Sequence, residues 1–418
     1  MSTRLPHNGS DTLMLGFDLE LRRRGFAGNS CQIALELSET IDPARLQQRI
    51  SGLAQTHPIL RARPGRAPFP VWKPTATTPA VRVHDPRSGL EQDLFNAPLA
   101  IRRGELIRFD VIGHRVIFTW SHALMDAKSA EYFLALVGDD RLACPEASTD
   151  WYAQRATRAG NLRARGRKAW RELERLETFK TALPVSLATR RPPTASVMHH
   201  RSFTLSPEET ARVRAHAARL GGLLGDTTFH LAATLMALHR LHQRLGVPSP
   251  SYVVPVPVSL RPKGTRSPLF SNQVTMILHQ FQPAQLDTME HAIAAVKARH
   301  TDCLRGDYID AGITLAQLFR GLPLPLYMWI VKNEMKGEIC SLFFGDTGAV
   351  DPALETFLGA RIDDITHIPA VTVPPGAGVV LYRFRDLLRF TVVHAEGTLS
   401  DAEAREFADD FRARLLDP

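Results

Sequence analysis

Apolar and polar positions alternate through NSCQIALELS, Asn29 to Ser38, which is the period of a half-buried strand. The following segment, TIDPARLQQRISGLAQTHP, changes to a helical period, with Thr40 or Asp42 placed to cap its N-terminus. ILRARP, VWKP and VRVHD read as short strands. LIRFDVIG and RVIFTW, separated around His114, read as a β-hairpin. MDAKSAEYFLALVG then returns to the helical period, with Met125, Ala130, Phe133 and Leu134 on its apolar side.

A helix-like body from Trp151 to Phe179 and a linker-like stretch, LPVSLATRRPPTAS, separate this series from a second one. HHRSFTLS predicts a strand, and SPEETARVRAHAARLG a helix opened by a capping box, Ser206 to Glu209. DTTFHLAATLMALHRLHQRLG predicts a long buried helix, followed by strands at SYVVPVPVSLR and NQVTMILHQF. Helices around Ala292 to Cys303 and Ala311 to Leu322, strands at GVVLYRF and LLRFTVVHAEG, and a helix from Ser400 to Leu416 complete the pattern. Each half is therefore an α/β (α+β) mixture with mostly antiparallel pairing, and the Pro-rich linker divides the chain into residues 1–180 and 181–418. The absence of a short-period repeat excludes solenoids and propellers.

Composition narrows the setting. A chain of 418 residues exceeds one ordinary core, so two domains are expected. Cys31, Cys144, Cys303 and Cys340 lie far apart with no CxxC pair, which fits neither a disulfide framework nor a zinc site and favours a reducing cytoplasm. The opening MSTRLPHNGSDTLMLGF lacks the basic-then-apolar design of a signal peptide, and LPLPLYMWIV is too short to span a bilayer. The expectation is a soluble, cytoplasmic monomer, with a peripheral contact at the inner membrane surface left open.

Charge is unevenly placed. Between residues 151 and 200 eleven Lys and Arg stand against Glu172, Glu174 and Glu177, which accounts for the whole net charge of +8. A solvated helix bridging two domains explains this as well as a binding face does. No nucleic-acid reading module and no interleaved aromatics accompany it, so no nucleic acid is expected as partner. As a binding face it suits an acidic carrier protein, a phosphorylated cofactor or anionic lipid.

His239 and His242 stand at i, i+3 on the long helix, but no carboxylate or cysteine lies beside them, so a polar helix face is preferred to a metal site. His199–His200 gives no further signal. No GxSxG elbow and no Gly-rich phosphate loop occurs. His122 has a more specific setting. In RVIFTWSHALMDA an apolar strand delivers it to a domain edge, and Asp126 follows one helical turn on. A lone histidine of this kind is ordinarily a satisfied core residue; two lobes meeting at a cleft would make it a reactive one.

SHALMDA resembles the HHxxxDG motif of the thioester-dependent acyltransferase superfamily, which includes nonribosomal-peptide condensation domains, plant BAHD enzymes, wax ester synthases and mycobacterial polyketide-associated acyltransferases. ELSETIDPARLQQRISGLAQTHPILRAR is similar to the family's helix and Pro-x-Leu-Arg turn. VVPVPVSLRPKGTRSPLFSNQVTMILHQF is similar to its strand, arginine and Gly-Asn block, and PPGAGVVLYRFRDLLRFTVVHAEGTLSDAEAREFADDF to its closing strand and helix. The four blocks occur in the family's order and cover most of the chain. HxxxD alone is a weak signal; the four together are strong. No DFGWG occurs, which argues against a plant BAHD enzyme.

The resemblance implies two chloramphenicol-acetyltransferase-like lobes with an active-site tunnel between them. It implies His122 as general base for an alcohol or amine attacking the thioester of an acyl-CoA or phosphopantetheinyl acyl-carrier protein, with no covalent acyl-enzyme, no cofactor and no metal. An imidazole suits this task because its pKa lies near the working pH. Asp126 is carried over as a structural residue paired with Arg261. Trp120, Ser121, Ala127 and Asn272 fall at substrate-facing positions, and Arg163, Arg165, Arg167 and Lys168 are candidates for holding the anionic donor. Ser121, Ala127 and Ser271 depart from the family's His, Gly and Gly. Those departures keep a second class open, a non-catalytic relative that binds a carrier protein or lipid.

Overall fold

The computed structural model describes residues 5–66, 69–87, 89–145, 149–221 and 225–418. Its largest sheet has six strands in the order Thr356–Phe357, Ala360–Ile368, Ser30–Leu37, Arg115–Ser121, Ile107–Ile112 and Val81–His84. All its pairs are antiparallel except Val81–His84 with Ile107–Ile112. The Ile107–Ile112 and Arg115–Ser121 strands form the expected hairpin, turning through Gly113 at φ 58°. Helices Pro43–Thr56 and Ala127–Gly138 press Leu46, Ile50, Phe133 and Leu134 into one continuous core with Phe109 and Phe118 of the sheet.

A four-stranded sheet organises the second lobe in the order Phe343–Ala349, Ala377–Phe384, Leu387–Ala395 and Met198–Thr204. Helix Gly225–Arg244 is apolar on most of its surface because it is enclosed by this sheet and by helices Met289–Arg305 and Asp401–Leu416. Tyr252–Ser259 and Val274–Phe281 form a separate antiparallel ribbon, and Leu5–Pro6, Pro70–Pro74 and Ala62–Arg66 a small third sheet. The chain crosses between lobes late: Ala360–Ile368 leaves the C-terminal half to pair with Ser30–Leu37 of the six-stranded sheet.

Three elements differ from the sequence reading. The Trp151–Phe179 body is two helices, Trp151–Arg158 and Leu162–Glu177, followed by a 3-10 segment Thr178–Ala182. Gly160 takes φ 86° and Asn161 caps the new helix by accepting from the Ala164 N–H at 3.0 Å, so the break is built from residues suited to one. LPLPLYMWIV becomes a helix, Leu324–Asn333, with its prolines at the first turn, where no intrahelical N–H is needed. Phe343–Ala349 and Ala360–Ile368 are strands without a prior expectation.

Candidate active site

Ser121 ends the Arg115–Ser121 strand, and the next N–H, from His122, still donates to Asn29 O at 2.9 Å. The histidine thus leaves the sheet from a central strand whose neighbours fix its position on both sides. The chain then turns, with Leu124 N–H donating to Ser121 O at 2.9 Å and Trp120 Nε1 donating to Met125 O at 3.0 Å. Asp126 begins the next helix as its N-cap: its Oδ1 accepts the Ser129 N–H at 3.0 Å.

The other oxygen of Asp126 faces the second lobe. Its Oδ2 accepts from Arg261 Nη1 at 2.7 Å and from the Gln273 N–H at 2.9 Å. Arg261 also donates to Ser129 Oγ at 2.6 Å and to Pro268 O at 3.1 Å, and both ionic side chains are over nine-tenths buried. Behind the histidine, Asn272 Nδ2 donates to His122 O at 2.8 Å and to Asp11 Oδ1 at 2.9 Å. Asp11 also accepts the Asn272 N–H at 2.8 Å and, with Asn8, closes a capping box at the start of helix Gly9–Arg23. Burial pushes the Asp11 carboxyl up to about 7, against the pull of those hydrogen bonds.

A cavity of about 380 Å³ opens on this arrangement, lined from one side by His122, Trp120 and Ala127 and from the other by Phe343, Asp346 and Val380. His122 is half-buried: protein surrounds the ring, and water reaches it through the cavity. Its Nδ1 is enclosed and finds no hydrogen-bond partner among the described residues. Burial pulls its pKa below 6.5; polar contacts with its own backbone, the Asp126 charge, and contacts with Asn272 and Met125 offset only part of that effect. A lowered pKa keeps the ring neutral, hence able to accept a proton, through pH 6.5 and somewhat below. Were His122 to act as a general base, the acid limb of the kcat/KM profile would bend below pH 6.5, and a limb at or above 7 would contradict a lowered pKa.

Asp126, Arg261, Trp120 and Ala127 lie in the cavity wall with His122. Ser121 and Asn272 do not: both are fully buried, and Asn272 acts on the histidine's carbonyl from behind. The four basic candidates are elsewhere. Lys168 is held by Asp307 at 2.7 Å and Asp310 at 3.5 Å, Arg165 donates to Gly160 O at 2.8 Å, and Arg163 and Arg167 face solvent. Their helix, Leu162–Glu177, walls a second, apolar chamber instead of this cavity. His239 and His242 are bound to Tyr252 OH and Val247 O, and no cluster able to hold a metal occurs among the described residues.

Sequence reasoning missed Asp11, whose signal was the Asn8-to-Asp11 capping pattern ahead of an apolar run. It also missed two polar groups of the wall. Asp346 accepts from His230 Nδ1 at 2.9 Å; burial alone would raise its pKa, but His230 and local hydrogen bonds outweigh it and hold the carboxyl below the usual value. His367 stands 3.7 Å from the fully buried Glu131, its pKa pushed down to about 3 by burial and by Lys128. Glu131 is pushed up to about 7 by burial, although Lys128 binds it. No local motif announces either pair.

No protein-family model matches the sequence, and no curated protein matches it. Solved structures do. The first condensation domain of the calcium-dependent antibiotic synthetase, in complex with a substrate analogue, superposes with a TM-score of 0.71 at 17% identity, over 100% of this chain and 98% of that one. The trichothecene 15-O-acetyltransferase of Fusarium sporotrichioides gives 0.71 at 13% identity, over 100% and 97%. The epimerization domain from the third module of tyrocidine synthetase B gives 0.63 at 12%, over 100% and 96%. No helix among the described residues is long and apolar enough to cross a membrane. From end to end, the chain has the two-lobed fold of these condensation, acetyltransferase and epimerization domains.

Proposed function

We propose that this protein transfers an acyl group from a thioester, of CoA or of a carrier protein, to an alcohol or amine. The observation that carries the reading is the histidine itself: a neutral His122, fixed at the end of a central strand and opening into a cavity between two lobes. With Nδ1 enclosed, proton acceptance falls to Nε2. Nε2 takes the O–H or N–H proton as the acceptor's lone pair attacks the thioester carbonyl. Collapse of the tetrahedral intermediate breaks the C–S bond, and the imidazolium returns the proton to the departing thiolate. General-base catalysis of this kind is typically worth about 10²–10⁴-fold. Asp126 is spent on Arg261, Gln273 and its own helix, so it holds the loop and takes no part in proton transfer.

The test is to incubate purified protein with acetyl- and longer acyl-thioesters, on CoA and on carrier protein, against a panel of alcohols and amines. Mass spectrometry should find at least one ester or amide whose formation depends on the protein. A protein that retains thioesters and never turns them over would instead be the non-catalytic carrier- or lipid-binding relative.

In this reading Arg163 and Arg167, which face solvent on a helix outside the His122 cavity, act on the anionic donor only through long-range attraction, while Lys168 is tied to Asp307 and Asp310. Reversing the two arginines to Glu should raise the donor KM several-fold at low salt with kcat little changed, and the difference should shrink at 1 M salt, where the Debye length is about 3 Å. Equal KM values at low salt would reduce that helix face to a solvated surface.

A further inference from the structure

The cavity at His122 has a neighbour. An apolar chamber of about 170 Å³ lies among five helices, walled chiefly by Phe17, Leu173, Leu176, Leu315, Phe319 and Ile330. Met276 and Phe343 line both spaces. The Val274–Phe281 strand connects them: Val274 faces the histidine's cavity, Leu278 faces the chamber, and Met276 stands between. Alternate residues share one face of a strand, so this row runs about 14 Å from the first side chain to the last.

The chamber's two carboxylates are already paired. Glu172 is bound by Arg175 at 2.5 Å, and Glu334 by Lys180 at 3.1 Å. Among the described residues, no wall side chain carries a buried polar atom lacking a hydrogen-bond partner. A ligand entering here gains chiefly by removing apolar surface from water. Three substituents diverge from the carbon attacked in acyl transfer: the thioester arm, the acceptor and the acyl chain. The first two must reach His122 through the interlobe cavity. The third needs a separate, apolar and unbranched path.

We propose that the chamber beyond Met276 and Phe343 binds the acyl chain of the donor, and that the preferred donor carries a linear aliphatic chain of medium length or longer. This rests on the acyltransferase reading and specifies its donor.

Binding is measured by calorimetry with the full-length His122→Ala protein, which removes turnover, using acetyl-, hexanoyl- and decanoyl-pantetheine without acceptor. Affinity should rise by about fourfold for each methylene that enters the chamber. Ala316→Trp, which fills the chamber from helix Tyr308–Phe319, should cut decanoyl affinity at least tenfold more than acetyl affinity. Gly312→Leu is the second variant, since a Cβ added there meets, within 4 Å among the described residues, only the Glu172 carboxylate at 3.8 Å. Circular dichroism verifies folding of each. Equal affinity for all three chains, or a chain-length gain that survives both variants, overturns the proposal. Acetyl transfer by the wild type with no such gain would leave the acyltransferase reading standing and remove this one. A chain-length gain without transfer to any acceptor would do the reverse.

Discussion

Replacing His122 with alanine is expected to lower acyl transfer by about 10²–10⁴-fold while leaving the fold intact. The two halves of that expectation have separate physical causes. The imidazole makes no hydrogen bond through Nδ1 among the described residues, and it borders a cavity, so its removal mainly enlarges existing space. The backbone contacts that hold the loop, His122 N–H to Asn29 O and Asn272 Nδ2 to His122 O, survive the substitution. Activity should therefore fall without a matching loss in chemical-denaturation midpoint. A variant retaining most of its turnover would remove His122 from the chemistry, and one that unfolds would show that the ring is a structural core residue.

Asp126→Ala and Arg261→Ala should each destabilise the protein by about 3–5 kcal/mol, because each leaves the other's charge buried and unpaired. The carboxylate loses more than its ion pair: it also caps the Ala127–Gly138 helix and holds the Gln273 N–H. Arg261 retains Ser129 Oγ and Pro268 O as acceptors when Asp126 is gone, which offsets only part of that loss. Asp126→Ala should thus be the more costly of the two. The double variant should fall well short of the sum, with a coupling of about 0.5–3 kcal/mol by denaturant titration. Additive effects would mean that the 2.7 Å contact contributes nothing to stability. Because Gln273 and Arg261 come from the opposite side of the cavity, both variants should also lose activity in proportion to how far the loop is displaced.

The parts legible in the sequence were those whose period is local. Ser30–Leu37, the hairpin at Gly113 and the helix after Asp126 follow from alternation, a turn and an apolar stripe. Ala360–Ile368 hides because a bulge between Ile362 and Asp364 breaks its alternation, placing two acidic residues side by side. Phe343–Ala349 carries two glycines and an aspartate, and its strand form is imposed by parallel pairing with Ala377–Phe384. Its contribution to the cavity could not be read locally either, since Asp346 gains its meaning from His230, more than a hundred residues away in the chain. Likewise the Asn272 position suggested substrate contact, whereas Asp11, arriving from the opposite end of the chain, turns it into a brace for the histidine.

The central claim is direct transfer between two bound substrates, with His122 moving the proton. Its most direct test is a single turnover of stoichiometric acyl-pantetheine and acceptor, quenched at intervals and resolved by intact-protein and small-molecule mass spectrometry. The account predicts that the acylated acceptor appears while the protein mass stays unchanged throughout, and that the His122→Ala protein forms neither product nor adduct on the same timescale. A protein adduct of one acyl mass that rises and decays ahead of product, or product formed at the wild-type rate without His122, would contradict it.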